Sequence, residues 1–229
     1  LATYGDPSLG NPTDFAVGPD GEVWVCDLDH DGIAVFSAAG GLVRRIEMDP
    51  PVGRLALSPR GFLATSIAGG EGLFRRYSPE GEPEGAFGAL FPEELQTSIA
   101  ADGWIVPAAD GFFYPFRNAG LLAFYTWDGR LRFLRQTIDP VPLPVVRMDA
   151  AGRQSVPDAT VVSIGSSVVG DELFVLTGER LLDVYDVEKG SYRYSLRPPE
   201  KDARYVVLTS DRLYSAGKRG VTIWKRRSP

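Results

Sequence analysis

The chain has 229 residues, 44% of them hydrophobic and 24% charged, a balance that supports a sizeable buried core and fits one all-β domain spanning 1–229. Its net charge of -6 argues against a broad cationic surface for nucleic acid, and no apolar run reaches the roughly 18 residues that a membrane-spanning helix requires. Cys26 is the single cysteine, which excludes an internal disulfide and any multi-cysteine metal site.

In chain order, residues 1–5 form a lone extended stretch, and the opening on Leu1 without a signal sequence suggests a trimmed chain. Segment 15–46 then reads as apolar strand, tight turn at Pro19-Asp20-Gly21, apolar strand Val23-Trp24-Val25-Cys26, loop, strand, tight turn, strand. Glycine after a polar residue suits such turns, because a short hairpin needs positive φ values that a side chain resists. The same grammar returns over 55–87 with Pro59-Arg60-Gly61 at the turn. It returns again around Ala101-Asp102-Gly103, Gly170-Asp171 and Ser210-Asp211. Helical spacing is confined to 91–99, where a turn or two would fit.

Counted between second turn residues, the steps are 40, 42, 69 and 40 residues. A period near 40 means stacked modules that cannot bury their apolar faces alone, which predicts a β-propeller of four-stranded antiparallel blades. The 69-residue step holds either a long insertion or an eroded extra blade, so the expectation is six blades, with five as the alternative. The last module supplies three strands, near 205–208, 212–216 and 221–225. The opening stretch with Ala2, Thr3 and Tyr4 is expected to complete it as an outer strand and so close the ring.

The phrase Asn11-Pro12-Thr13-Asp14-Phe15-Ala16-Val17, with Pro19-Asp20-Gly21, Val23-Trp24-Val25-Cys26-Asp27 and Ile33-Ala34-Val35-Phe36, resembles an NHL-type repeat. Leu182-Asp183-Val184-Tyr185-Asp186 and Tyr192-Arg193-Tyr194-Ser195-Leu196 resemble bacterial exported six-bladed propellers. The pattern departs from the usual NHL form at Asp31-Gly32 and over 139–165. The resemblance implies a periplasmic or cell-surface location.

In a four-stranded blade, the connection between second and third strands and the crossover to the next blade share one end, and the remaining hairpins share the other. Length and chemistry gather in the first set: 27–32, 108–119 and the crossover 139–158. Loops on a rigid scaffold are the usual carriers of binding, so this end is the expected binding face. Phe112, Phe113, Tyr114, Phe116 and Arg117 are residue types that dominate interfaces, although a loop tucked over the core or plugging the central channel is the plainer reading. Asp29 and His30, and the basic pair Lys218 and Arg219, complete the candidate binding residues. Asp27, Asp29 and Asp31 alternate ahead of Gly32 as calcium loops do, but the twelfth position is Ala38 rather than Glu, and a solvated polar loop is the plainer reading.

No cofactor is called for by these residues, calcium being the exception to test. No Gly-x-Ser-x-Gly elbow is present, and the lactonase-type Glu, Asn and Asp set has no counterpart in a chain with two asparagines. The expected function is therefore a non-catalytic binding module or scaffold for a protein or other macromolecule, with a small-molecule ligand left open. The alternatives are a metal-dependent lactonase-like enzyme and a structural subunit of an envelope-associated assembly.

Overall fold

The computed structural model describes residues 9–66, 72–89, 99–152, 154–199, 203, 205–217 and 220–225. The chain divides into two compact units, 1–99 and 100–229. The first unit holds two four-stranded antiparallel sheets. One consists of β1 (Pro12–Val17), β2 (Val23–Asp27), β3 (Gly32–Phe36) and β4 (Leu42–Glu47), the other of β5 (Val52–Ser58), β6 (Gly61–Ser66), β7 (Phe74–Tyr77) and β8 (Pro83–Phe87).

The second unit holds β9 (Val106–Ala108), β10 (Gly111–Pro115), β11 (Leu121–Thr126) and β12 (Leu131–Gln136) as one blade. A small pair, β13 (Arg147–Met148) and β14 (Gln154–Ser155), follows it. Next comes the blade of β15 (Ser163–Val169), β16 (Glu172–Thr177), β17 (Leu182–Asp186) and β18 (Tyr192–Leu196). A three-stranded blade of β19 (Tyr205–Leu208), β20 (Arg212–Gly217) and β21 (Gly220–Lys225) ends the described chain. These are five blades of a β-propeller, which corrects the expectation of six. The long step contains an insertion whose two strands have two residues each, too little sheet to make a blade. Pairing of Ala2, Thr3 and Tyr4 with the last blade lies outside the described residues, and so does the helical turn expected at 91–99, apart from Ile99, which opens a 3-10 turn over Ile99–Ala101.

Strand alternation explains why the middle strands β2, β3 and β10 are buried from end to end. On β2, Trp24 and Cys26 pack with Ile33, Val35 and Ile46 against Leu55, Phe62, Ala64 and Tyr77 of the next blade, while Val23 and Val25 face the other way with Ala34 and Phe36. On β16, Leu173 and Val175 join Phe113, Leu122, Phe124 and Phe133 on one side, and Phe174 and Leu176 meet Val206 and Leu208 on the other. Each such strand therefore serves two faces and is mostly apolar, with Asp27 on β2 and Asp183 on β17 as buried exceptions.

Polar contacts along the innermost strands repeat with the blade period. The Leu55 N–H donates to Asp14 Oδ2 at 3.0 Å, and the Leu208 N–H donates to Ser167 Oγ at 3.2 Å, both pairs 41 residues apart. The Arg54 guanidinium adds a bond of 3.0 Å to the Thr13 carbonyl, and the Thr13 hydroxyl donates to the Gly53 carbonyl at 3.1 Å.

The outer strands share another device. Each four-stranded blade shifts register where its outer strand begins, at Val35/Phe36, Arg76/Tyr77, Phe124/Tyr125 and Val184/Tyr185. A bulge there twists the open edge away from unwanted pairing.

Candidate functional site

The third blade explains where sequence spacing misleads. Ala101-Asp102-Gly103 is not a hairpin turn: a 3-10 turn covers Ile99–Ala101, and Gly103 bridges to Phe116. The equivalent turn lies between β9 and β10, at Ala109-Asp110. The true steps, from 60 to 110 and from 110 to 171, are thus 50 and 61 residues. The surplus is divided between two crossovers.

With the turn moved, the aromatic run moves too. Phe112, Phe113 and Tyr114 lie on β10, the second strand of its blade, and with Phe116 they are 0% exposed. They form core rather than a solvent-facing loop. Phe113 stands edge-on to Phe124, Tyr114 edge-on to Phe116, and the Tyr114 hydroxyl donates to the Ala101 carbonyl at 2.8 Å. Arg117, part-exposed, sits 3.5 Å from Asp102. Lys218 and Arg219 lie outside the described residues.

Near Asp27 the structure brings four elements together. Its carboxylate, with no exposed side-chain surface, accepts the Asn11 N–H at 2.8 Å and the Gly10 N–H at 3.2 Å. His30, at the end of the 3-10 turn Leu28–His30, places Nδ1 at 2.7 Å from Asp27 Oδ2, and the Arg45 guanidinium stands 3.7 Å away. Burial works to raise the Asp27 pKa, but the Asn11 and Gly10 N–H groups and His30 outweigh it and hold the carboxyl below its usual range. The cluster is a knot tying the start of β1 to the turn before β3. Asp29 and Asp31 point to solvent, and among the described residues no group of three or more His, Cys, Asp and Glu is placed to hold a metal ion. Asp27, Asp29 and Asp31, weighed above against a calcium loop, do not form such a group.

The expected loop-rich end instead acquires its substance from the crossover between β12 and β15. Its two ends are clamped onto the turn that joins β10 to β11. The Gly120 N–H donates to the Val141 carbonyl at 2.7 Å, the Thr137 N–H to the Gly120 carbonyl at 2.9 Å, and the Val162 N–H to the Arg117 carbonyl at 2.7 Å. The Ser163 hydroxyl reaches the Phe116 carbonyl at 3.0 Å. From the next blade the Gly178 N–H donates to the Val162 carbonyl at 3.2 Å, and the Tyr185 hydroxyl accepts the Ile138 N–H at 3.2 Å. Only glycine fits two of these positions: a Cβ on Gly120 would lie 2.4 Å from the Asp139 carbonyl oxygen, and one on Gly178 2.0 Å from that of Val161.

Beyond this root the insertion is exposed. Pro140, Pro142 and Pro144 lack N–H groups, so their limb cannot extend a ladder along that edge. The β13–β14 pair follows, with Arg147 bonded to Asp158 at 3.1 Å. Val145 is 75% exposed and Met148 66%. Sequence reasoning included this crossover but named none of these side chains; the alternate prolines within the over-long step were the available signal.

The fold resembles solved β-propellers across nearly the whole chain. Virginiamycin B lyase from Staphylococcus aureus aligns with a TM-score of 0.53 at 12% identity, over 97% of this chain and 87% of that one. BBS1N in complex with ARL6DN gives 0.59 at 14% identity, over 97% and 67%. The WD40 propeller domain of Doa1 gives 0.59 at 13% identity, over 92% and 62%. At these identities the likeness establishes the fold and nothing of the chemistry. No family model and no curated protein matches the sequence.

Proposed function

We propose that this chain is a non-catalytic binding propeller that engages a protein partner through the end of its blades bearing the long crossovers. The observation that carries the reading is the insertion between β12 and β15: a root fixed by backbone hydrogen bonds on two blades, and a tip presenting Val145 and Met148 to solvent. A fixed root lowers the ordering cost of binding, and exposed aliphatic side chains supply apolar area to bury. The BBS1N structure, solved with a protein partner, is a propeller precedent for such a role.

The resemblance to exported NHL-like propellers supports a periplasmic or cell-surface setting, and among the described residues no helix is long and apolar enough to cross a membrane. The lyase among the solved relatives motivates a second reading, an enzyme. Its best foothold here is the Asp27–His30 pair, in which a buried carboxylate orients the imidazole through Nδ1.

Replacement of residues 141–160 by a short Gly-Ser link, followed by affinity enrichment beside the intact chain, tests the binding reading. Loss of specific partners with an unchanged circular dichroism spectrum is expected. An identical partner set from both proteins would refute a role for the insertion.

A further inference from the structure

Asp183 lies in the middle of β17, 3% exposed, beside the root of the insertion. Among the described residues its carboxylate is met by the Ser195 hydroxyl, at 2.6 Å, and by no cation. Strand alternation puts Tyr185 on the same side of the sheet, where its oxygen holds the Ile138 N–H. Asp139 follows directly, and Glu179 stands in the turn that Gly178 begins; both negative charges bear on Asp183. Tyr192 joins the group through its hydroxyl, 2.9 Å from Ser195 Oγ. Arg180, on the same turn, is engaged elsewhere, donating to the Ala203 carbonyl at 2.6 Å.

A buried carboxyl facing two carboxylates favours its neutral form. Burial first, and then repulsion from Asp139 and Glu179, raises Asp183 above the usual carboxylate range, although the Ser195 hydroxyl pulls the other way. The sign follows from linkage: the native state holds this proton more tightly than the unfolded chain, so the contribution of Asp183 is most favourable at low pH and is lost as pH rises through its native-state value.

We propose that Asp183 makes the root of the insertion proton-responsive. With the carboxyl neutral, Thr137 to Asp139 stay docked on β17 and on the Gly120 turn; with it ionised, repulsion from Asp139 and Glu179 loosens that contact. The tip then samples more positions at neutral pH than in acid. This property of the root is independent of whether the insertion binds a partner.

Amide hydrogen exchange read by NMR, corrected for intrinsic rates, decides it. Between about pH 4 and about pH 8 the opening equilibrium at Ile138 and Thr137 should rise about fivefold or more, while Phe113 on β10 stays unchanged. Asp183→Asn should abolish the dependence and keep the root closed. Asp139→Asn, which leaves the buried position intact, should reduce it. Opening that is flat with pH in the unaltered chain, or equally pH-dependent in Asp183→Asn, would overturn the proposal.

Discussion

The Asp14 carboxylate accepts the backbone N–H of Leu55 at 3.0 Å, joining the innermost strands of two successive blades. Ser167 and Leu208 repeat the relation at the same separation of 41 residues in the second unit. Asp14→Ala would leave the Leu55 N–H without its acceptor, and a loss of about 1–3 kcal/mol is expected in urea melts. For Ser167→Ala, with a neutral acceptor, about 1 kcal/mol is expected. A change within a few tenths for Asp14→Ala would mean that the contact does not hold the blades.

The glycine cradle gives a sharper test of the insertion root. Gly120→Ala drives a methyl group into the Asp139 carbonyl and the Val141 N–H, so limited proteolysis should cut 139–161 several times faster than in the unaltered chain. Gly165→Ala, on β15 with nothing within 4 Å of the added carbon, is the control and should behave as the parent. Equal cleavage of all three proteins would remove the argument for a fixed root.

The Asp27 knot sets part of the acid stability. Because the native carboxyl titrates below the unfolded one, its contribution is present above the usual carboxylate range and is lost as pH falls through the native value. Asp27→Asn should flatten the acid limb of the stability curve and cost about 1–3 kcal/mol at neutral pH. Parallel acid limbs for the two proteins would contradict this.

Cys26 is fully buried, and burial pushes its thiol well above the ordinary value, with Asp14 adding to the rise and Arg54 opposing it. In the native protein it should react with a disulfide reagent at least about a hundredfold more slowly than in denaturant. Fast native labelling would mean that the interface between the first two blades opens readily.

Much of the fold is legible in the residues. The turns at Pro19-Asp20-Gly21 and Pro59-Arg60-Gly61, and the short apolar run Leu173-Phe174-Val175-Leu176, carry enough local signal to locate strands before any contact is known. The third blade is harder to place, because Asp102-Gly103 and Asp110-Gly111 are the same dipeptide and local chemistry does not say which one turns a hairpin. That single shift reads a buried strand, Gly111–Pro115, as part of a loop. Blade number is harder to read: six is the expectation and five the alternative, and five follows because the surplus between β12 and β15 holds only the two-residue strands β13 and β14. The insertion root was illegible because Gly120 and Gly178 act through backbone atoms distant in sequence.

Photo-crosslinking from the tip of the insertion tests the central claim most directly. A benzophenone side chain at position 148, where Met148 is 66% exposed, should yield a specific adduct with a protein partner under native conditions. The same group at Leu131, 40% exposed on β12, should not. Adducts from position 131 with none from position 148 would contradict recognition by the insertion and move the binding surface to the outer strands.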